Sequence, residues 1–377
     1  MTSLVTRRLA LVRKIAEIST IAHSRHYAVA KVDGWNVVTH RSEGFSEGQM
    51  VLYIEIDSIL PNSGPFWEYH VSNSQTTDNQ SLCLVRTTII RKHLSQGLLF
   101  PLSRFPQIVE EFDHLKSNHS LEEAERILMT KSFADSLGIK KYVPLGTYAR
   151  STNSLGRPPV FIQQPGSNRV QDICNLFRDM GHLFFQVTEK LDGVPMSVYM
   201  VQPDSQWWSG LPILPGAGSI YKNMSTRVGV CGRWEDYGED DNCEFWKAAK
   251  SQGIIDGIKQ LCGSSILSNS MGFPSGKHHF YVFDIYDIDK QAYLRPKTVV
   301  RSCMEAHWDH VPIILHHIKL STFAKDIEDL LKKAEGNGVL GQMREGLVFK
   351  SLEGRHTFKA ISNPWLLATG KEPAASF

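Results

Sequence analysis

The chain has 377 residues, of which 42% are hydrophobic, 10% aromatic and 21% charged. This composition is near the average of globular proteins, so it excludes collagen-like, disordered and disulfide-scaffold classes. No apolar run reaches the roughly 18–20 residues that a membrane-spanning helix requires. The formal charge of +2 neither indicates nor excludes a nucleic-acid partner, and the length predicts about two domains.

The six cysteines are scattered along the sequence, and none forms a Cys-x-x-Cys pair. Single thiols of this kind are typical of reduced, packed residues in an intracellular protein, either cytoplasmic or nuclear. The segment before Glu17 contains arginines and no acid, which weakly resembles a mitochondrial targeting peptide. We interpret it as a short tail that leads into the first strand or helix, and a mitochondrial location stays open.

The first hundred residues predict a small β-barrel. Short runs rich in β-branched residues alternate with turn residues such as Asp33-Gly34, Gly44 and Gly48. Several short strands at close spacing are typical of such a barrel. The runs lie at residues 28–32, 35–39, 50–56, 82–90 and 97–100.

The pattern changes twice after the barrel. Apolar residues recur three and four positions apart between residues 105 and 138, and Ser120 is a candidate N-cap for a helix that begins at Leu121. Residues 143–164 are rich in proline and glycine, which is typical of an extended connector. We therefore predict a barrel domain at 1–105, a helical connector at 106–156 and a second domain at 157–377.

The second domain mixes predicted strands and helices. Strands at 183–190 and 194–201 flank a turn at Asp192-Gly193. The other predicted strands lie at 279–288, 345–350 and 357–361, and the predicted helices lie at 244–261 and 322–335. This alternation predicts an α+β domain.

The turn between the first two of these strands contains the motif Lys190-Leu191-Asp192-Gly193. A lysine amine can attack the α-phosphate of a nucleotide and hold the nucleoside monophosphate as a phosphoramidate, once it has lost its proton. Burial and nearby positive charge favour that loss. The pattern alone is weak evidence, because Lys31-Val32-Asp33-Gly34 in the predicted barrel matches it as well.

Two later residues favour Lys190 over Lys31 as the nucleophile. Glu345 opens a predicted strand on which it shares one face with Leu347 and Phe349, and a carboxylate there can hold a hydrated Mg²⁺ or Mn²⁺. Lys359, fourteen positions further on (345 to 359), can neutralise charge that develops on the α-phosphate. No comparable set follows Lys31.

With these motifs the chain resembles the covalent nucleotidyltransferase superfamily of ATP-dependent ligases and capping enzymes. It is most similar to the Deinococcus-type RNA ligases, which have an N-terminal OB (oligonucleotide-binding) domain ahead of the nucleotidyltransferase domain. The resemblance covers roughly residues 13–106 and 157–367. The segments that carry it are 32–38, 47–61, 95–101, 168–171, 188–193, 230–234, 280–285, 345–350 and 358–362.

The resemblance implies an α+β fold: an OB-like β-barrel followed by a nucleotidyltransferase domain of the DNA/RNA ligase, ATP-grasp-like type, with antiparallel sheets and helices. It implies that Lys190 takes AMP from ATP, passes it to an RNA 5′-phosphate, and that the activated end is then joined to an RNA 3′-hydroxyl. The metal is Mg²⁺ or Mn²⁺, bound by Glu345. The nucleotide-binding residues implied are Glu189 beside the adenine edge, Phe283 stacked on adenine, Arg169 and Arg233 on phosphate or ribose, Glu345, and Lys359 on the α-phosphate.

One segment departs from the family pattern. The family has a Gly-Glu strand, with a carboxylate that helps to bind metal or ribose, between the helix that ends near Leu261 and the strand at Phe280. Here residues 262–279 contain no acid, and no Glu occurs between Glu244 and Glu305. We therefore expect this strand and its carboxylate to be missing. Such a loss would cost several kcal/mol of transition-state stabilisation, which predicts an enzyme that is slow, blocked at one step or inactive.

The sequence leaves two other functions open. One is a catalytically impaired RNA-binding protein that kept the fold but lost the carboxylate. The other is a DNA ligase or a capping-type nucleotidyltransferase. The expected partner is RNA with 5′-phosphate and 3′-hydroxyl ends, which the barrel binds through a local basic patch. We expect no membrane contact, and we expect the protein to be a monomer. The residues of that basic patch are Arg86, Arg91, Lys92 and His93.

Overall fold

The computed structural model describes residues 8–69, 75–77, 80–142, 153–162, 167–212, 226–260, 265–271 and 279–370. Much of the predicted connector at 143–164 lies outside these ranges. Within them, no helix is long and apolar enough to cross a lipid bilayer.

Short strands dominate the N-terminal part. They are β1 (Ala10–Lys14), β2 (Glu17–Thr20), β3 (Tyr27–Val32), β4 (Trp35–His40), β5 (Met50–Ile54), β6 (Ser58–Leu60), β7 (Gln75–Thr77), β8 (Gln80–Leu84), β9 (Thr87–Ile90), β10 (His93–Gln96) and β11 (Leu98–Pro101). The sheets β2-β3-β4 and β1-β5-β11 enclose a buried cluster around Val32, Trp35 and Tyr53. Val32 of β3 and Val37 of β4 lie in this cluster, whereas Val29 and Val38, on the opposite face, lie in a second small cluster with Ile21.

Two helices follow the barrel, α1 (Pro106–Asn118) and α2 (Leu121–Thr130), and then the short strand β12 (Lys140–Lys141). The Ser120 hydroxyl accepts a hydrogen bond from the Glu123 backbone amide, which confirms the predicted N-cap. Ile108 and Leu128 pack into the same core as Leu52 of the barrel. The helix pair is therefore joined to the barrel by a common hydrophobic core.

The C-terminal part contains two larger sheets. Its elements are β13 (Ser154–Gly156), β14 (Asn168–Arg169), α3 (Leu176–Met180), β15 (Phe184–Lys190), β16 (Val194–Val201), β17 (Arg227–Cys231), β18 (Asp236–Tyr237), α4 (Glu244–Ser251), α5 (Ile254–Gln260), β19 (Ser265–Met271), β20 (Tyr281–Asp287), β21 (Ala292–Tyr293), α6 (Pro296–Glu305), β22 (Ile313–Lys319), α7 (Leu320–Phe323), α8 (Ile327–Ala334), β23 (Gly346–Ser351), β24 (Thr357–Ile361) and α9 (Asn363–Thr369). One sheet has the order β13-β18-β17-β16-β19-β20-β21, and the other has the order β14-β24-β23-β15-β22.

The expectation that a strand is missing between residues 262 and 279 was wrong. Residues Ser265–Met271 form β19, which pairs with β16 on one side and with β20 on the other. The run contains three serines and an asparagine, so its β-propensity is low, and the two neighbouring strands impose the conformation. The acidic residue is absent from the sequence, but the strand is present.

Both long predicted helices are broken. The predicted helix at 244–261 is divided into α4 and α5 at Gly253, whose φ of +68° is left-handed. The predicted helix at 322–335 consists of α7 and α8, and the Asp326 carboxylate caps α8 by accepting from the Asp329 amide. Periodicity continues through each break because both pieces bury one face in the same core.

Candidate active site

A cavity of about 220 Å³ lies between the two large sheets of the C-terminal part. Three adjacent antiparallel strands, β15, β23 and β24, form one wall. Apart from Glu189 near the end of β15, which also lines the cavity, their residues alternate between the cavity and the core, as the period of a strand requires. Those that line the cavity are Gln186, Thr188, Lys190, Val348, Lys350, Thr357 and Lys359, and those that enter the core are Phe185, Val187, Leu347, Phe349, Phe358 and Ala360.

Lys190 and Glu345 form an ion pair at the end of this wall. The Lys190 amine donates to the Glu345 Oε1 atom over 2.7 Å, and the two side chains are 22% and 4% exposed. Lys190 pairs in register with Gly346, the first residue of β23, so Glu345 lies just beyond that pair. The antiparallel register thus brings together two residues that are far apart in the sequence.

The expected face of Glu345 needs a correction. Leu347 and Phe349 were expected to share one face with Glu345, yet they lie in the core, whereas Val348 and Lys350 line the cavity. Glu345 precedes the first residue of β23, so the alternation of that strand does not fix the direction of its side chain.

Lys359 is surrounded by other positive charges. The pKa of its amine is lowered to about 7, chiefly by burial and in the same direction by the nearby Lys190, Arg169 and Arg233, whereas Glu345 acts in the opposite direction. Arg169 lies on β14 and is 3% exposed. It pairs in register with Lys359 of the neighbouring parallel strand β24. Lys359 therefore has three cationic groups and the buried Glu345 carboxylate close to it.

The opposite wall of the cavity includes Phe283, Asp284 and Arg233. The Lys350 amine crosses from β23 and forms an ion pair with Asp284 over 2.6 Å, and it lies 5.2 Å from the centre of the Phe283 ring. Sequence reasoning missed Lys350 and Asp284. The sequence does indicate the position of Lys350. Leu347 and Phe349 mark the core face of the predicted strand, so Lys350 lies on the opposite face, towards the cavity.

Glu189 is buried, and its contact is with a turn. The Glu189 carboxylate accepts a hydrogen bond from the Val339 backbone amide over 2.9 Å. A Cβ added at Gly338 would lie 2.0 Å from the Glu189 Oε1 atom, so this turn packs directly against the carboxylate. Glu189 also lines the cavity, one residue before Lys190.

Lys31 lies in the barrel and outside this cavity. Its amine forms an ion pair with Glu17 over 2.7 Å, and this hydrogen bond raises the pKa of Lys31 above its ordinary value. A raised pKa favours the protonated amine, which has no lone pair for attack. The two Lys-x-Asp-Gly matches therefore have different surroundings.

One observation indicates that the residues of the site fit a divalent cation. The Oε2 atom of Glu345 is buried and has no hydrogen-bond partner among the described residues. No group of three His, Cys, Asp or Glu residues that could hold a metal is found in the part of the chain that the structure describes. A hydrated Mg²⁺ or Mn²⁺ needs only one or two protein carboxylates when substrate phosphates supply other ligands.

Comparisons with known proteins decide the family. A family model for RNA ligase matches residues 183–362, and a family model for an OB-fold domain matches residues 9–102. A solved structure of a Naegleria gruberi RNA ligase mutant with AMP and manganese is 30% identical, with a TM-score of 0.71, and the match covers 97% of this chain and 99% of that one. The chain belongs to the RNA ligase family.

Two further structures of the Naegleria gruberi RNA ligase match this RNA ligase over the same extent. One contains pyrophosphate and the other is a mutant with ATP and manganese; each is 30% identical with a TM-score of 0.70, and each match covers 97% of this chain and 100% of the other. No curated protein sequence gives a significant match. The α+β fold class, with an OB domain ahead of a ligase domain, is confirmed.

Proposed function

We propose that this RNA ligase uses ATP to join RNA 3′-hydroxyl and 5′-phosphate ends through an AMP intermediate on Lys190. The observation that carries the proposal is the charge of the cavity. The groups close to Lys359 include Lys190, Arg169 and Arg233, and Lys350 also lines the cavity. These five cationic side chains outnumber the three described carboxylates at the site, which are those of Glu345, Glu189 and Asp284, so the site has an excess of positive charge. Buried charges of one sign are costly unless an anion accompanies them, and a nucleotide triphosphate is such an anion.

The first covalent step follows from this arrangement. The unprotonated amine of Lys190 attacks the α-phosphorus of ATP, the N–P bond forms, the bond from the α-phosphorus to the β-phosphate oxygen breaks, and pyrophosphate leaves. Glu345 Oε1 is 2.7 Å from the amine and is the nearest described acceptor for its proton. Lys359 and the two arginines stabilise the negative charge that develops on the α-phosphate.

Two further steps complete the reaction. An oxygen of an RNA 5′-phosphate attacks the lysine-bound phosphorus, which breaks the N–P bond and returns the amine to Lys190. The RNA 3′-hydroxyl then attacks the activated RNA phosphorus, and AMP leaves. Phe283 supplies an aromatic face for the adenine, and Glu189, which accepts from the Val339 amide, lies beside the adenine edge.

Glu345 is the residue that we assign to a divalent metal. Mg²⁺ or Mn²⁺ bound there supplies a positive charge for the α-phosphate oxygens. The buried Oε2 atom is available for this contact, while Oε1 holds the Lys190 amine.

We propose that the barrel holds the RNA. Arg91 and Lys92 form the turn between β9 and β10 and are exposed, as is His93. On the adjoining sheet, the exposed rings of His26 and His40 are stacked at 5.7 Å between centroids. Such a surface suits single-stranded RNA, because its phosphates bind to positive charge and its bases stack on aromatic rings.

We infer that the ligase is of the Deinococcus type, with boundaries near 105 and 156. The order of an OB domain and a ligase domain supports the type. The hydrophobic core that the barrel shares with the two helices contains residues from Leu9 to Ile139 and supports a joint role for these two parts. We expect a monomer. The free, buried Cys83, Cys231 and Cys303 support a reducing intracellular compartment.

A second candidate function rests on β19. The strand is present without the acid that the family pattern expects, so an impaired ligase that still binds RNA is the alternative. Sealing assays separate the two functions. The substrate is an RNA duplex with a single nick and a labelled 5′-phosphate, and Lys190→Ala is the control variant.

The proposal expects ATP-dependent and metal-dependent conversion of the nicked strand to full length by wild type and none by Lys190→Ala. A matched DNA nick tests the choice of RNA over DNA. Tight binding of the RNA nick without any sealed product, under Mg²⁺ and under Mn²⁺, would contradict the proposal and support the binding protein.

A further inference from the structure

The indole ring of Trp35 in the barrel lies against the guanidinium of Arg169 in the ligase domain. The guanidinium carbon is 5.3 Å from the ring centroid. Trp35 is 1% exposed and Arg169 is 3% exposed, so the contact is shielded from water. A shielded cation on an indole face is held more strongly than an exposed one.

Arg169 is one strand away from the centre of the proposed chemistry. It ends β14 and pairs in register with Lys359 of β24, and its charge contributes to the lowered pKa of Lys359. Two neighbouring cations repel each other, so favourable contacts on the other side of Arg169 help to keep it beside Lys359. Trp35 supplies one such contact from the barrel.

The turn that precedes Trp35 docks on the ligase domain. Asp33 and Gly34 have φ values of +47° and +79°, as the two central residues of a tight hairpin turn require. A Cβ at Gly34 would lie 2.7 Å from the Ile327 Cγ2 atom and 3.1 Å from the Leu331 Cδ1 atom, so the turn packs closely on helix α8. Arg13 of β1 forms an ion pair with Asp33 on the barrel side.

We propose that Trp35 is a positioning residue for Arg169, and that the barrel therefore contributes to nucleotide binding as well as to RNA binding. The inference rests on the proposed function, because it takes Arg169 as a phosphate-binding or ribose-binding group. The Lys-x-Asp-Gly sequence at Lys31 then acquires a structural role: its Asp-Gly turn places Trp35 under the arginine.

The proposal predicts where a loss will be seen. An arginine without its indole platform regains side-chain freedom and moves away from Lys359, so more free energy is needed to order it when ATP binds. The affinity for ATP falls, while the rate of labelling at saturating ATP changes little. Replacement of a residue that only packs the barrel would not lower the affinity for ATP while leaving the labelling rate at saturating ATP unchanged.

Two measurements on the full chain test the proposal. The first is the Kd of an unreactive ATP analogue, and the second is the rate of lysine labelling by α-labelled ATP as a function of ATP concentration. Trp35→Leu removes the aromatic face, and Trp35→Phe keeps one. Phe100→Leu, a similar change at a buried barrel residue that packs on Phe66 and Phe105, is the matched control.

We expect Trp35→Leu to raise the Kd and the KM for ATP on the order of tenfold. Trp35→Phe should restore most of the affinity, and Phe100→Leu should leave it unchanged. In an Arg169→Ala background, Trp35→Leu should have no further effect, because its effect acts through the arginine. Wild-type affinity in Trp35→Leu, an equal loss in Phe100→Leu, or an additive loss in the double variant would each overturn the proposal.

Gly34→Ala provides a second route if Trp35→Leu does not fold. The added methyl group displaces the turn from α8 without altering the indole, so it should raise the Kd for the ATP analogue. Cooperative thermal unfolding of this variant shows that it is folded. An unchanged Kd would overturn the proposal. Because binding and labelling are measured separately, wild-type binding without any label would contradict the proposed function alone.

Discussion

The Lys190 amine and the Glu345 carboxylate are 2.7 Å apart, so the nucleophile of the proposed reaction rests in an ion pair. A protonated amine has no lone pair for attack, and the Glu345 carboxylate beside it is the acceptor that we assign to its proton. Glu345 has a second oxygen that is buried and has no hydrogen-bond partner among the described residues. The same residue can therefore bind a metal and control the proton of the nucleophile.

We expect Glu345→Gln to reduce the rate of lysine labelling by at least about 100-fold, because it removes both the proton acceptor and the charged metal ligand. The measurement is single-turnover labelling with α-labelled ATP across a range of Mn²⁺ concentrations. Glu55→Gln, at a carboxylate that is 3% exposed but lies in the barrel, is the control and should label at the wild-type rate. Labelling of Glu345→Gln within tenfold of wild type would rule out this dual role.

We expect the affinity for ATP to fall as the pH rises from about 7 to 9. The pKa of Lys359 is about 7 in the free protein, so its amine is mostly neutral at pH 8. The negative charge of ATP favours the protonated amine, so binding at pH 8 takes up a proton and weakens by up to about tenfold per pH unit. Titration calorimetry with an unreactive ATP analogue, in buffers of different ionisation enthalpy, measures that uptake.

Lys359→Arg is the control for this pH dependence, because an arginine stays charged throughout the range. Its affinity for the analogue should vary much less between pH 7 and 9. Equal slopes in the two proteins would show that another group takes up the proton.

We expect Lys359→Met to stabilise the protein while it abolishes labelling. The folded-state pKa of about 7 lies below the ordinary value of 10.5, so between these values the unfolded chain binds more protons and stability rises with pH. Below pH 7 the buried charge is most costly. The variant should gain about 1–4 kcal/mol in the free energy of unfolding at pH 6 and less at pH 9.

Urea unfolding of both proteins at the two pH values measures this difference. A variant that is less stable than wild type at pH 6 would show that the cavity does not penalise the charge of Lys359.

The sequence predicted the strands of the site well, because each has apolar residues with a period of two and ends at a turn. Strands β15 and β16 match their predicted bounds to within one residue. The sequence did not predict β19, since its pairing with β16 and β20 outweighs the low β-propensity of its serines. It also could not show the contact between Trp35 and Arg169, which depends on how two separate domains pack.

We expect a carboxylate on β19 to raise activity if its absence limits the enzyme. Ser268 and Ser270 pair in register with Asp284 and Pro195, and both of those residues line the cavity. Ser268→Glu and Ser270→Glu should each be measured for labelling and for sealing of the RNA nick, and at least one should increase the rate by about tenfold or more.

Asn269→Glu is the control for the β19 variants. Asn269 pairs in register with Met196, which lies in the core, so this variant should lose stability and gain no activity. If neither serine variant increases either rate, the missing carboxylate does not limit catalysis in this ligase.

The most direct test of the account is the identity of the labelled residue. Purified wild type, Lys190→Ala and Lys31→Ala are each incubated with α-labelled ATP and Mn²⁺ or Mg²⁺ and separated on a denaturing gel. We predict label on wild type and Lys31→Ala and none on Lys190→Ala, with AMP mapped to Lys190 by mass spectrometry of the labelled peptide. Label retained by Lys190→Ala, or no label on any of the three proteins, would contradict the central claim.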